Sequence, residues 1–286
     1  MLISWVGGKH KLANEIINIF PSHKRYIEPF FGGGWVFFMK PHVRENIIND
    51  INSDLVNLYL VIRDQPQDLA RLIFFTPKSR DLFNKYIDLY WNRKEEWVNT
   101  DKVTRAMIYF YIIKNSFGSL LRHYGVFSTK WDVNEIVEAI LPMSEKLKNV
   151  DIMCDDWRNI IDLYTNKDTL VYLDPPYIVT IGRGEHYYQY TFTREQHIEL
   201  RDKLVADKDK YKWVLSYDTH PFVNELYNGI DGINILETSA HFQSLNAKYY
   251  SLVDYDDTNK YKKEYLITNF NIEKALPLFK EGIQHE

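Results

Sequence analysis

The chain has almost no cysteine. A single thiol, Cys154, stands among 286 residues, so no internal disulfide framework is available and a reducing compartment fits. Long apolar runs are missing too: the longest, Met107 to Ile113, is far too short to cross a bilayer. Met1 to Lys11 carry no extended apolar core, so no secretory signal is expected. No internal repeat or low-complexity tract appears. Gly7-Gly8-Lys9 lacks the spacing, and the following Ser or Thr, of a Walker-type phosphate loop. No His/Cys cluster has zinc spacing, so no metal site is expected. Excess positive charge is absent as well, and a net charge of −4 argues weakly against a general nucleic-acid binder. What these absences leave is a cytoplasmic protein with no membrane partner.

What is present is apolar and aromatic. With 45% hydrophobic and 15% aromatic residues, the chain can bury a full α/β core with room for a smaller subdomain. Residues 25–50 read as strand, glycine turn, helix and strand. Residues 52–116 read as helical, with Leu55, Leu58, Tyr59 and Ile62 at helical spacing and Ser79 and Asp81 as candidate caps. The period is lost over 117–130, which predicts a hairpin or loop around His123-Tyr124-Gly125. Helix returns from Asp132 to Lys148, with Pro142 as a break or kink. From Val150 onward strands and helices alternate, and Thr193 with Gln196 forms a capping box. Such alternation predicts a twisted, mostly parallel sheet covered by helices.

Two places in this pattern carry chemistry. Leu170-Val171-Tyr172-Leu173 reads as a buried strand that ends in Asp174-Pro175-Pro176-Tyr177. An acid, a rigid turn and an aromatic ring are thereby presented at a strand's carboxyl end, where open α/β sheets place their sites. Asp-Pro by itself is only a strand-ending turn. Upstream, Tyr26 to Phe31 leads into Gly32-Gly33-Gly34 and an apolar helix start, a turn that lets backbone approach a ligand. Asp50 follows after roughly 20 residues, the spacing at which a carboxylate binds a ribose hydroxyl. The alternative for Asp50 is a helix cap, a role Asp54 could also fill.

A third feature is a strip from Arg105 to Trp131. It holds Arg105, Lys114, Arg122 and Lys130, no acid, and seven interleaved aromatics. It suits either a phosphate backbone or a solvated basic helix face followed by a hairpin. Two long loops, 178–191 and about 239–262, face the expected catalytic end; the first offers Gly182 and Gly184 as hinges and Tyr187, Tyr188 and Tyr190 for stacking.

Taken together the motifs resemble the alpha group of adenine-N6 DNA methyltransferases, the Dam-like branch. Trp5-Val6-Gly7-Gly8-Lys9, Glu28 to Gly34, Asn49-Asp50-Ile51-Asn52, Asp156-Trp157 and Asp174 to Tyr177 match in order, with Ser216 and Glu264 to Phe270 also similar. The likeness spans about residues 5–270. It departs at Asn115 to Ser128, where GATC-reading members carry Asn-Gly-Leu-x-Arg and Gly-x-Phe-Asn; Arg122 is displaced and the turn is shorter, which leaves the target sequence open.

The resemblance implies a Rossmann-like, seven-stranded sheet of methyltransferase type with an inserted, mainly helical target-recognition subdomain. Residues 1–54 and 150–286 would form the catalytic domain and 55–149 the insert, with its hairpin near 117–130. It implies S-adenosylmethionine as cofactor and double-stranded DNA as partner. A monomer or weak dimer is expected, and a partner restriction endonuclease is left open. Asp174, Pro175, Pro176 and Tyr177 would be catalytic. Trp5, Gly8, Lys9, Pro29, Phe30, Gly32, Gly34, Asp50, Asp156, Trp157 and Asp174 would surround the cofactor. Lys114, Asn115, Arg122, Tyr124, Lys130 and Tyr188 would meet DNA, Arg122 reading a base. Plainer readings stand beside these: Asp156 as an N-cap, Trp5 as core packing, Lys9 as a surface lysine, Arg122 as a brace against Tyr124. Cytosine-N4 or RNA adenine methylation, and a non-catalytic binding module, are the rival functions.

Overall fold

The computed structural model describes residues 3, 5, 7–126, 131–177, 192–238 and 264–272. Its strands are β1 (Arg25–Glu28), β2 (Glu45–Asn49), β3 (Val150–Met153), β4 (Thr169–Leu173), β5 (Lys212–Asp218), β6 (Asn234–Glu237) and β7 (Glu264–Thr268). They form one seven-stranded sheet in the order β3-β2-β1-β4-β5-β7-β6. β1, β2, β3, β4 and β5 pair in parallel, while β7 runs antiparallel to both β5 and β6. The chain steps outward from β1 to β2 and β3, then returns to lay β4 on the other side of β1. The carboxyl ends of β1 and β4 therefore flank the point where strand order reverses, the crevice in which such sheets bind ligands.

The described helices are α1 (Ala13–Asn18), α2 (Trp35–Met39), α3 (Ser53–Asp64), α4 (Pro66–Phe74), α5 (Arg80–Asn92), α6 (Lys94–Asn99), α7 (Lys102–Asn115), α8 (Val133–Leu147), α9 (Trp157–Tyr164), α10 (Arg194–Ala206) and α11 (Pro221–Tyr227). The expected helical stretch after Asn52 is thus five helices, α3 to α7. Pro66 starts α4 where its missing N–H costs nothing, and Ser79 caps α5 through the Leu82 amide. α7 is buried at every position from Ala106 to Ile113; a helix apolar all round belongs at the centre of its block. α8 runs through Pro142 without ending there. The Thr193–Gln196 capping box is present at α10. Nothing in the sequence pattern signals α1.

Strand alternation divides the core in two. Tyr26, Ile48, Leu170, Tyr172 and Val214 join the cluster shared with α3, α4, α5, α7 and α8. Ile27, Ile47, Val171, Leu173 and Leu215 face the opposite way, against α9, α10 and α11. The helical block from α3 to α8 therefore shares one continuous core with a face of the sheet. No described helix is long and apolar enough to cross a membrane.

After α7 the chain makes a short 3-10 turn, Phe117–Ser119, and Ser116 bridges back to Tyr124. Gly118, Ser119 and Leu121 all have positive φ, at 60°, 58° and 55°. That tight, left-handed path explains why the helical period vanishes here.

Candidate active site

The glycine turn is built by steric exclusion. Gly34 has φ 66°, and a Cβ there would meet the Phe31 ring at 2.4 Å. At Gly32, φ 46°, a Cβ would meet the Trp5 ring at 2.8 Å. Both positions admit only glycine, and Trp5 packs directly on the turn. Asp50, at the end of β2, is wired to it: one carboxylate oxygen accepts the Gly32 N–H at 2.8 Å and the other accepts the Asn52 N–H at 2.9 Å. Burial pushes the Asp50 carboxyl up to about 6, although these two amide bonds oppose the shift. Neither Asp50 nor Asp54 caps α3. Asn52 does, through the amides of Asp54 and Leu55, while Asp54 accepts from the Trp97 indole at 3.0 Å.

Asn49 joins three strand ends. Its amide nitrogen donates to the carbonyls of Pro29 and Asp155, both at 2.9 Å, and its oxygen accepts the Asp155 N–H at 2.9 Å. This fixes the following residues beside the glycine turn. Asp156 does cap α9, accepting the Arg158 N–H at 2.9 Å, and it also pairs with the Arg158 guanidinium at 2.7 Å. Trp157 is buried against Phe30 and Phe192, with ring centroids 6.2 and 6.4 Å apart.

At the carboxyl end of β4 the charges are denser. Lys9 is only 3% exposed, and its ammonium lies 2.8 Å from Asp174 Oδ1. Ser216 Oγ donates to the same oxygen at 3.2 Å. Burial raises the Asp174 carboxyl, while Lys9, Ser216 and Tyr177 work against that rise. Burial lowers Lys9, but Asp174 and Glu264 outweigh it and hold the ammonium above its ordinary value. Tyr177 donates its hydroxyl to Glu264 at 2.9 Å. Lys9 is thus no solvated surface lysine; it stands between Asp174 and Tyr177. Glu28, on β1, is buried and accepts the Tyr26 hydroxyl at 2.7 Å; burial pushes it up to about 8.

A cavity of about 280 Å3 runs from the glycine turn and Asp50, past Asp156 and Trp157, to Asp174 and Tyr177. This is near the lower end of the roughly 300–1,000 Å3 typical of small-molecule sites. Trp5, Gly8, Lys9, Pro29, Phe30, Gly32, Gly34, Pro175 and Pro176 line it as well. All of the residues expected at the catalytic and cofactor positions are therefore brought together.

The helical block supplies the remaining wall. Trp91 and the segment from Ser119 to Arg122 also line the cavity. The Trp91 indole donates to the Leu121 carbonyl at 2.8 Å, and the exposed Arg122 guanidinium lies 5.6 Å from the Trp91 ring. The bracing partner of Arg122 is thus Trp91 rather than Tyr124. Tyr124 packs on Phe83 at 5.4 Å, with Lys78 and Arg80 over its ring. Asn115 is buried and donates to the Tyr111 carbonyl at 3.0 Å. Lys114 is half-buried in the last turn of α7. Lys130 and Tyr188 lie outside the described residues. Trp91 and Glu264 were not expected at the site. Trp91 sits in an ordinary amphipathic helix, while Glu264 opens a segment similar to the family's but with no site role attached to it.

A family model for D12 class N6 adenine-specific DNA methyltransferases matches residues 5–244. The Type II methyltransferase M.MjaIII of Methanocaldococcus jannaschii is 30% identical over 260 residues, which span 80% of this chain and 88% of that protein. The Type II methyltransferase M1.LlaDCHI of Lactococcus lactis is 31% identical over 243 residues, 78% and 82% of the two chains. A DNA adenine methylase of Haemophilus influenzae is 26% identical over 246 residues, 79% and 82%. The family match takes in the glycine turn, Asp50 and Asp174 to Tyr177 alike, and with relatives of this extent the chain belongs to the D12 class of N6 adenine-specific DNA methyltransferases.

Proposed function

We propose that the methyl donor is S-adenosylmethionine and that the acceptor is an adenine flipped out of duplex DNA into the Asp174 end of the cavity. The observation that carries this reading is a single cavity with a diol-suited carboxylate, Asp50, at one end and the Asp174 motif at the other. The residues present fit the donor. Asp50 already accepts two backbone amides, and a carboxylate has about four acceptor sites, so a pair of ribose hydroxyls can still bind. The buried Trp157 Nε1 has no hydrogen-bond partner among the described residues and lines the cavity, which suits an acceptor on a bound nucleoside. Asp156 would take the adenine amino group of the donor, with Trp5, Gly8, Lys9, Pro29, Phe30, Gly32 and Gly34 around it.

Bound S-adenosylmethionine supplies an electrophilic sulfonium methyl. The protein's task lies on the other reactant. The amino nitrogen of adenine is a poor nucleophile because its lone pair is delocalised into the ring. An ionised Asp174 accepts a hydrogen bond from that amino group, and the Pro175 carbonyl accepts the second hydrogen. Both favour positive charge developing on nitrogen. The proline ring fixes the direction of the carbonyl, and the Tyr177 ring offsets the stacking lost when the base leaves the duplex.

Residues 1–54 and 150–286 form the donor-binding catalytic unit on this reading, and 55–149 the target-recognition unit. Arg122 reads a base edge, while Lys114, Asn115, Tyr124, Lys130 and Tyr188 meet the DNA around it. Type II names among the relatives favour a partner restriction endonuclease.

Incubation with labelled donor and duplex DNA, followed by mass spectrometry of the digested DNA, tests the assignment. N6-methyladenine is expected. Asp174→Ala should lose turnover by at least ~100-fold, the scale for removing a transition-state acceptor, and Asp174→Asn should keep more activity because its amide oxygen still accepts. N4-methylcytosine as the sole product, or wild-type turnover in Asp174→Ala, overturns the reading.

A further inference from the structure

Lys9 is a buried cation with more partners than neutralisation requires. Its ammonium donates to the Gly7 carbonyl at 2.9 Å, pairs with Asp174 Oδ1 at 2.8 Å and lies 3.8 Å from Glu264 Oε2. It also sits 4.6 Å from the centroid of the Tyr177 ring. Asp174 alone would balance its charge. Glu264 is a second carboxylate, only 3% exposed, at the first residue of β7. Burying an extra acid is costly unless its oxygens are bonded. One oxygen of Glu264, Oε2, meets the catalytic motif twice: directly, accepting the Tyr177 hydroxyl at 2.9 Å, and indirectly, lying 3.8 Å from the Lys9 ammonium.

The chain separation is large. Lys9 precedes α1, Tyr177 follows β4, and Glu264 opens β7, paired in register with Asp218 of β5. Three distant segments meet at one ring and one carboxylate. A tyrosine can swing about two side-chain bonds. Here its hydroxyl is tied at one end, its face carries the ammonium, and Tyr217 packs beside it at 6.0 Å.

We propose that Glu264 is a positioning residue for methyl transfer: it sets the Tyr177 ring directly and, through Lys9, the Asp174 carboxylate that receives the target amino group. The proposal rests on the assignment of Asp174 and Tyr177 to the target base. Glu264 touches neither base nor donor in this scheme; it acts through its two neighbours.

The scheme has an electrostatic signature. Among the described residues the groups that face Asp174 are Lys9 from the N-terminal segment, Tyr26 and Glu28 from β1, Tyr172 from β4, Tyr177, Ser216 from β5, and Tyr217 beside it. Asp218 and Glu264 reach it through Lys9. Replacing Glu264 by a neutral isostere removes a negative charge that competes for Lys9. Asp174 then ionises at lower pH, and the acid limb of the rate profile moves down. Lys9→Met removes the cation and moves the same limb up.

The test is single-turnover methylation at saturating donor across pH, in Glu264→Met, Tyr177→Phe and the double variant. Glu264→Met, which keeps the bulk but neither charge nor acceptor oxygen, should lower the plateau rate on the order of 10-fold, the equivalent of losing one hydrogen bond to a charged group, leave donor affinity by calorimetry unchanged, and shift the acid limb down. The double variant should be no slower than the slower single one, because both substitutions break one link. Tyr177→Phe breaks that link from the other side, and reads it should Glu264→Met not fold. A wild-type plateau rate in Glu264→Met, multiplicative losses in the double variant, or a slowed enzyme with an unmoved acid limb overturns the proposal. An active Asp174→Ala enzyme instead overturns the assignment beneath it, so the two failures are distinct.

Discussion

The two ends of the cavity hold their carboxylates by different means. Asp50 is bonded to two backbone amides, from Gly32 and Asn52. Asp174 is held by side chains: Lys9 from near the start of the sequence and Ser216 from β5, with Glu264 behind Lys9. Amides of a packed turn cannot rotate away, so the Asp50 end is rigid. Side chains recruited from three parts of the fold can be retuned one at a time, so the Asp174 end is adjustable. On the proposed function, a receptor for a constant donor and a centre whose charge must suit a reacting nitrogen call for those two constructions.

The largest effect that sharpens this contrast is at Asp50. Asp50→Ala should weaken donor binding by roughly 1–3 kcal/mol, the cost of leaving buried donors unpaired, measured by calorimetry. The sign of the pH dependence follows from the raised carboxyl, about 6 against 3.8. Hydroxyl donors favour the ionised form, so wild-type affinity is full above about 6 and falls with acid, by at most about tenfold per pH unit for one proton. Affinity that stays flat from pH 5 to 8 would break the assignment.

The second effect is one of stability. Glu28 is raised from 4.5 to about 8. A carboxyl with a raised folded value stabilises the fold fully below its unfolded value and loses that contribution as pH rises through the folded one. Between about 4.5 and 8 wild-type stability should therefore decline, with a slope of at most about 1.4 kcal/mol per pH unit. Glu28→Gln keeps an acceptor for the Tyr26 hydroxyl and should flatten that slope in urea unfolding series; an unchanged slope places the titration elsewhere.

The smallest effect belongs to the helical block. Arg122 is exposed and leans on Trp91. Arg122→Ala should cost about 1 kcal/mol on the preferred site and relax discrimination at one base pair, read from methylation rates on single-base site variants. An unaltered preference profile reduces Arg122 to a brace for its loop.

The same contrast explains what the sequence discloses. The glycine turn, Asp50 and the Asp174 motif are local: each is a short run whose spacing already implies strand, turn and acid. The sheet followed from alternation, and the capping box at Thr193 from two residues three apart. Non-local parts were invisible. Nothing near Glu264 in sequence signals Tyr177, and nothing near Trp91 signals the Leu121 carbonyl it holds. Asp156 shows the middle case, since one carboxylate both caps α9 and lines the cavity. The reach of Lys9 to Asp174 depends on where the N-terminal segment lies against the carboxyl end of β4, which periodicity does not encode.

The most direct test of the account is a crossed measurement on Asp50→Ala and Asp174→Ala, taking donor affinity by calorimetry and single-turnover methylation at saturating donor. The account predicts that Asp50→Ala loses affinity yet approaches the wild-type rate once saturated, while Asp174→Ala keeps its affinity and loses at least ~100-fold in rate. Equal losses of affinity in both variants, or a slow chemical step in saturated Asp50→Ala with normal affinity, would contradict it.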